Sequence, residues 1–399
     1  MRLLLVVDVF PPTRTSAAVQ MRDLAATLGR MGHRCTVVTP DHRGGPPVEL
    51  QTGELFSVLR IRSAPLKRIN LVRRAFNEIL LSSRMWAGYR KSTVAQEPFD
   101  GVVFYSPSIF FGRFVAKLKA HHGCKAYLIL RDVFPDWAAD LGVMSRGPHY
   151  WLFKGFARYQ YSVADRIGIE APSNRRYFDA RDARIEILPN WIELGTESVQ
   201  EVEMPLSIAG KKVLVYSGNM GVAQDMDNLL RLARGLLPRK DCAVLFVGDG
   251  SERRRMESEA KRLGLTNIVF HAEVDPRQLR GMTRHCYLGL ISLDRRLRSH
   301  NVPGKLLSYL EAGLPVIASI NPGSDLRSIV EDAGAGIVLA NGDDRALLQA
   351  ATALLDDGQR RQRMSAAALA LCSERFSSDA AARQVVAAFA GGATGSTAL

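Results

Sequence analysis

Residues 2–40, "RLLLVVDVFPPTRTSAAVQMRDLAATLGRMGHRCTVVTP", read as strand, helix, strand. An unbroken apolar run opens the stretch, a periodic helical segment ends at Gly32, and a second apolar run follows from Arg34. The same alternation continues through "FDGVVFYSP" (99–107), "IFFGRFVAKLKAHHG" (109–123) and "KAYLILRD" (125–132). Strands separated by helices of this length are the βαβ signature of a doubly wound parallel sheet. The pattern fades over 193–210, "ELGTESVQEVEMPLSIAG", which is polar and reads as a linker. It restarts with strands "KKVLVYSG" (211–218), "CAVLFVGDG" (242–250), "NIVFHAEV" (267–274) and "YLGLISL" (287–293), interleaved with helices. The expected architecture is α/β, with two tandem doubly wound Rossmann-like domains over 1–195 and 205–375 and an interdomain cleft at the carboxyl ends of both sheets. A C-terminal helix over 376–390 is expected to pack back on the N-terminal domain, and 391–399 to form a flexible tail.

Composition narrows the function classes. The chain has 399 residues, 47% of them hydrophobic, with 33 Gly and 18 Pro, as in an ordinary globular protein. Asp8 interrupts the first apolar run, so that run reads as a core strand rather than a secretory leader. No apolar run approaches the ~18 residues a membrane-spanning helix needs. The five cysteines are scattered and lack a C-x-x-C pair, which suits buried reduced thiols in the cytoplasm and argues against zinc or disulfides. A net charge of +13 points to nucleic acid, anionic lipid or phosphorylated substrates as partners. Much of it lies in residues 60–91, where Arg60, Arg62, Lys67, Arg68, Arg73, Arg74, Arg84, Arg90 and Lys91 face the single acid Glu78. Ile69, Val72, Phe76, Ile79, Leu80 and Trp86 interleave near helical spacing. The stretch is either a helix lying on an anionic membrane surface or a core-facing helix with a charged back. No zinc finger, helix-turn-helix or RNP pattern appears, so nucleic acid is not an expected partner.

Three loops of the second half follow strands and open helices, the arrangement that aims backbone N–H groups at an anion. They hold Gly218 and Gly221, then Gly248, Asp249 and Gly250, then Pro303, Gly304 and Lys305. None matches the P-loop or G-x-G-x-x-G pattern, and each alone could be an ordinary turn. In "VPGKLLSYLEAGLPVIAS" (302–319), Lys305 stands in the first turn of a helix and Glu311 in the last, each at the end the helix dipole disfavours. A bound nucleoside diphosphate resolves both. Lys305 would meet the diphosphate, Gly304 would clear its approach, and Glu311, about 9 Å along the axis, would accept hydrogen bonds from the ribose diol.

"GNMGVAQDMDNLL", "LFVGDGSERRRMESEAKRLGLTNIVFHAEV" and "VPGKLLSYLEAGLPVIAS" resemble the donor-binding half of family 4 retaining glycosyltransferases of the GT-B fold. "PPTRTSAAVQMRDLAATLGRMGHRCTVVTP", "RDVFPDWAADLG" and "LPNWIE" are similar to the same family, best to its bacterial surface-polysaccharide, L-fucosamine-transferase-like branch. The resemblance spans nearly the whole chain. It implies metal-free transfer, with no cofactor, of a sugar such as an N-acetylated deoxyhexosamine from a UDP-sugar to a lipid-linked acceptor. The chain would then be cytoplasmic and peripheral on the inner membrane face, docked through residues 60–91. It further implies nucleotide contacts at Gly218, Asn219, Gly221, Gln224, Gly248, Asp249, Gly250, Val274, Gly304, Leu306 and Glu311. The chain also departs from the family. The first of the family's two glutamates falls on Pro303, and its phosphate-binding Arg and Lys fall on Asn219 and Gln224. Lys305 becomes the expected replacement cation, with Arg295, Arg296 and Arg298 nearby. On the acceptor side, Asp132 lies near the position where relatives use acid or His side chains, and could equally cap the following helix. Arg14, Thr15 and Asp136 are further acceptor-side expectations, whereas His121 and His122 read as helix-end residues without chemistry. The competing reading is a nucleotide-sugar epimerase on the same fold.

Overall fold

The computed structural model describes residues 1–13, 15–65, 70–140, 142–195, 200, 202–297 and 302–390. It divides into two units, Met1–Glu193 with the segment from Ser378, and Leu194–Ser377.

The first unit runs β1 (Arg2–Val6), α1 (Ser16–Arg30), β2 (Arg34–Asp41), β3 (Val48–Thr52), β4 (Phe56–Arg62), α2 (Leu71–Tyr89), β5 (Gly101–Ser106), α3 (Gly112–His122), β6 (Lys125–Leu130), α4 (Asp136–Asp140), α5 (Pro148–Val163), β7 (Arg166–Ile169) and β8 (Ile185–Ile187). Its sheet has the order β3-β4-β2-β1-β5-β6-β7-β8, parallel except for β3. The unbroken apolar run of β1 follows from burial on both faces. Leu3 and Leu5 join the core beneath α1, while Leu4 and Val6 join the core beneath α2, α3 and α5. Thr15 caps α1 by accepting from the Ala18 N–H at 3.4 Å. Among the described residues no helix is long and apolar enough to cross a membrane.

Residues 60–91 are not one amphipathic helix. Val58, Leu59 and Ile61 are buried on β4, which pairs with β2 and with the antiparallel β3. Arg60 is 7% exposed and donates to the Pro11 carbonyl and to Gln51 Oε1, so it presents no charge to a surface. The helix begins only after Asn70, whose side chain accepts from the Arg73 N–H at 2.8 Å. Leu81, Met85 and Tyr89 turn its second half into the core. The helical spacing of Val72, Phe76, Ile79, Leu80 and Trp86 does fall within α2, but Arg60 and Arg62 stand on β4, which a count of charges along 60–91 does not separate from the helix. Lys67, Arg68 and Ile69 lie outside the described residues.

The second unit runs β9 (Lys212–Ser217), α6 (Met226–Leu236), β10 (Cys242–Val247), α7 (Arg253–Arg262), β11 (Ile268–His271), α8 (Pro276–Arg284), β12 (Leu288–Ser292), α9 (Lys305–Glu311), β13 (Val316–Ile320), α10 (Leu326–Glu331), β14 (Gly336–Ala340), α11 (Asp344–Asp356) and α12 (Gly358–Arg375). All strands are parallel in the order β11-β10-β9-β12-β13-β14. Strand order therefore reverses between β9 and β12, and in such sheets ligands bind outside the carboxyl ends of the strands at that point. The last helix, α13 (Ser378–Ala390), lies on the first unit. Ala381, Ala382 and Val385 join the core that holds Leu24 and Leu28, and Thr27 Oγ1 donates to Ser378 Oγ at 2.8 Å. Residues 391–399 lie outside the description.

Candidate functional site

In the second unit the loops after β9 and β10 press together. The Met220 N–H donates to the Asp249 carbonyl at 2.8 Å, and the Glu252 N–H to the Met220 carbonyl at 2.9 Å. Gly248 (φ +140) and Gly250 (φ +152) have backbones that L side chains rarely adopt. A Cβ at Gly248 would stand 2.2 Å from the Gly218 carbonyl oxygen, and one at Gly250 would stand 2.3 Å from that of Met220. These glycines exist so that two loops can touch. Beside them opens a cavity of about 420 Å³ lined by Gly218, Asn219, Val247, Gly248, Asp249, Gly250, Glu273, Val274 and Leu279. Six of these residues were expected from sequence. Val247, Glu273 and Leu279 were not, because a strand end, a loop acid and a helix residue carry no signature of their own.

Gly221 and Gln224, also expected at the nucleotide, are not among the residues that line the cavity. Gln224 Oε1 accepts from the Gly221 N–H at 3.1 Å and from Asn219 Nδ2 at 3.4 Å, so these two amides brace the loop. The positive charge comes from α9. Lys305 Nζ lies 4.6 Å from the centroid of the Tyr216 ring, and its Cε lies 3.8 Å from where a Gly218 Cβ would be. Tyr216 is itself fixed by donating to the Asn219 carbonyl at 2.7 Å. No described carboxylate pairs with Lys305, and burial lowers its pKa to about 8. Gly304 has helical φ and ψ, and a Cβ there would meet nothing within 4 Å. Neither conformation nor packing demands glycine at that position. Leu306 is a core residue whose N–H is held by the Pro303 carbonyl at 2.9 Å. Glu311 is not an isolated acid, since its Oε2 accepts from Arg280 Nε at 3.0 Å, next to the cavity residue Leu279. Arg296 is bound to Asp294, and Arg298 lies outside the described residues.

The first unit gathers charged groups at the carboxyl edge of its sheet. Arg131, just past β6, is 6% exposed and stacks on Trp191 at 4.8 Å. Its guanidinium donates to the carbonyls of Leu188 and Pro189. Glu170, just past β7, accepts from Asn190 Nδ2 at 2.6 Å, and burial pushes its pKa up to about 7. Asp132 is half-buried, and burial raises its pKa while Arg131 opposes the rise. Asp132 does not cap α4, whose first amides bond to the Val133 and Pro135 carbonyls. Asp136 sits elsewhere, in a buried ion pair with Lys154 and accepting from the Tyr150 hydroxyl at 3.0 Å. That pairing leaves it no open face for an acceptor. Thr15 serves as the α1 cap, and Arg14 lies outside the described residues. His121 and His122 are packed, bonding to the Ala95 carbonyl and the Tyr89 hydroxyl at 2.8 Å each. Arg131 and Glu170 escaped sequence reading because their partners lie tens of residues away. Among the described residues no three His, Cys, Asp or Glu side chains converge as a metal site.

Two parallel Rossmann-like α/β units in tandem define the fold class, and it is that of GT-B glycosyltransferases. Sucrose-phosphate synthase from Thermosynechococcus elongatus superposes with a TM-score of 0.69 at 16% identity, covering 98% of each chain. WaaG, a glycosyltransferase involved in lipopolysaccharide biosynthesis, gives 0.59 at 16% identity, covering 98% of this chain and all of that one. HepE from Anabaena, solved in complex with UDP, gives 0.62 at 12% identity with the same coverage. Within this fold, residues 201–370 match the family described as glycosyl transferases group 1. Of curated proteins, "Probable glycosyltransferase WbjE" of Pseudomonas aeruginosa is 24% identical over 226 residues, 54% of this chain and 56% of that protein. "Putative colanic acid biosynthesis glycosyl transferase WcaI" of Escherichia coli K12 is 24% identical over 250 residues, 58% of this chain and 60% of that protein. The chain spans little more than half the length of the curated relatives it matches.

Proposed function

We propose that this chain is a glycosyltransferase of bacterial surface-polysaccharide synthesis. It would move a sugar, an N-acetylated deoxyhexosamine by resemblance, from a UDP-sugar to a lipid-linked acceptor with retention at the anomeric carbon. The observation that carries this reading is the glycine-walled cavity with Lys305 half-buried beside it and, among the described residues, no carboxylate paired with the ammonium. A cation held in that way suits a diphosphate, and the unneeded Gly304 leaves room for one. Breaking the anomeric C–O bond builds negative charge on the departing diphosphate, so stabilisation there lowers the barrier most. Lys305 would supply it, with the amides of the Gly218 loop, and no metal enters the step. Glu311 would hold the ribose with its orientation fixed by Arg280. Asp132 would face the acceptor hydroxyl at the edge of the first unit's sheet. UDP bound to HepE and the involvement of WaaG in lipopolysaccharide biosynthesis support the donor and the pathway class.

The test is a panel of nucleotide-sugars incubated with a lipid-linked acceptor extract, reading released nucleoside diphosphate and the anomeric configuration of the product by NMR. Release of UDP with retained configuration, undiminished by EDTA, is expected. Conversion of the sugar while still attached to its nucleotide would instead establish an epimerase.

A further inference from the structure

Two motifs of the first unit, "RDVFPDW" (131–137) and "LPNWIE" (188–193), interlock in a way the proposed chemistry does not use. The β6–β7 register pairs Leu130 with Ile169, so Arg131 and Glu170 are the next residues out, at the carboxyl edge of the sheet. Arg131 directs its guanidinium at the Leu188 and Pro189 carbonyls and lies on the Trp191 ring. Trp191 Nε1 donates to the Gln20 carbonyl of α1 at 2.9 Å. Gln20 Nε2 donates to Asn190 Oδ1 at 3.1 Å, which turns the Asn190 Nδ2 toward Glu170 Oε1. The second motif thus fixes both Arg131 and Glu170.

Glu170 itself is short of partners. It is 7% exposed, and the bond from Asn190 is the one hydrogen bond it makes among the described residues. It forms no ion pair there with Arg131, whose Nε is also buried without a partner. A buried carboxyl bonded at one oxygen is costly in either form. Ionised, it lacks the donors that would replace water; protonated, its O–H lacks an acceptor. At the end of β5, Ser106 Oγ is likewise buried without a partner, and Ser106 pairs in register with Leu130. Three adjacent strands, β5, β6 and β7, therefore end in polar atoms that the described protein leaves unbonded. They stand at the sheet edge where parallel α/β units take their ligands. Such groups call for an explanation, and a polar ligand that completes them is the direct one.

We propose that Glu170 recognises the acceptor, its free carboxyl oxygen bonding an oxygen of the acceptor sugar at the carboxyl ends of β5, β6 and β7. This role deepens the glycosyltransferase reading and rests on it. Because Asn190 donates to Oε1, a proton on the carboxyl belongs on Oε2, where it points to the ligand. Burial pushes the Glu170 pKa up to about 7, with Asp132 adding to the rise and Arg131 opposing it. Tyr105 on β5 shares this field with Glu170, Asp132, Arg131 and Asp8. The protonated form donates to a sugar oxygen, and the ionised form repels its lone pairs.

The test uses the full chain, the nucleotide-sugar that releases UDP in the panel, and the lipid-linked acceptor extract. Acceptor KM is measured at saturating donor from about pH 6 to about pH 8.5, a range that spans the titration. Wild-type acceptor KM is expected to rise as pH passes about 7 and Glu170 loses its proton. Glu170→Gln, whose amide donates at every pH, should keep the low KM throughout. Glu170→Ala should raise acceptor KM about tenfold or more near pH 6, with UDP affinity unchanged. If Glu170→Ala does not fold, the Glu170→Gln profile decides alone. An acceptor KM that falls with pH, a rise that Glu170→Gln does not flatten, or a folded Glu170→Ala with wild-type KM overturns the proposal.

Saccharide freed from the extract by mild acid, its binding followed by saturation-transfer NMR, separates this role from the reading beneath it. Sugar transfer with unaltered acceptor KM in the variants refutes the role of Glu170 alone. A wild-type chain that transfers nothing, yet binds the saccharide and loses it in Glu170→Ala, refutes the transferase reading and keeps the site. One that neither transfers nor binds refutes both.

Discussion

Lys305 and Glu170 are the residues whose protonation the fold alters most usefully. Lys305 is half-deprotonated near pH 8 in the free protein, and a bound diphosphate would restore its charge. UDP affinity should therefore fall as pH rises from about 7 to 9, with proton uptake on binding at the upper end, measurable by calorimetry in buffers of different ionisation enthalpy. Lys305→Ala should lower kcat about 10²-fold or more, and affected kcat should exceed any change in KM. Equal losses in both would make the lysine a ground-state contact only. For Glu170, a raised pKa means that the folded state holds a proton the unfolded chain releases. Its stabilising effect is full below the ordinary value near 4.5 and is lost as pH rises through about 7, on the order of 3 kcal/mol across that window. Glu170→Gln should flatten this slope, so that its Tm advantage over wild type grows between about pH 5 and 7.5. A constant difference would mean that Arg131 keeps Glu170 ionised. Lys305 was legible in sequence because its place in a helix was electrostatically odd. Glu170 was not, because its surroundings come from Arg131, Asn190 and the strand ends that only the folded sheet assembles.

At the scale of elements, the loops after β9 and β10 make a sharp contrast with the start of α9. Gly250→Ala forces a Cβ to within 2.3 Å of the Met220 carbonyl oxygen at a φ of +152, so two strains coincide. It should cost about 2 kcal/mol or more and lower Tm measurably. Gly304→Ala has helical dihedrals and open space, so Tm should hold or rise, yet UDP binding should weaken if the ligand occupies that space. Unchanged UDP binding in Gly304→Ala would remove the diphosphate from the helix start. Most elements were readable because a strand buried on both faces is an unbroken apolar run, as in β1, β5 and β10. The β3–β4 hairpin was not. Arg60 is buried there by bonds to Pro11 and Gln51 that no local pattern announces.

For the whole molecule, the second unit's strand order and its paired glycine loops carry the account. The excess of +13 is not a uniform coat, because Arg60, Arg131 and Arg184 are tied inward to carbonyls or to acids. The central claim is that the cavity beside Lys305 holds a nucleoside diphosphate whose ribose meets Glu311. Calorimetric titration of the full chain with UDP, run in parallel on folded Glu311→Ala, tests it most directly. One UDP per chain is expected, with affinity reduced about tenfold or more in the variant, the loss of one charge-assisted hydrogen bond. A folded wild-type chain that takes up no UDP, or a variant that binds it with undiminished affinity, would contradict the claim.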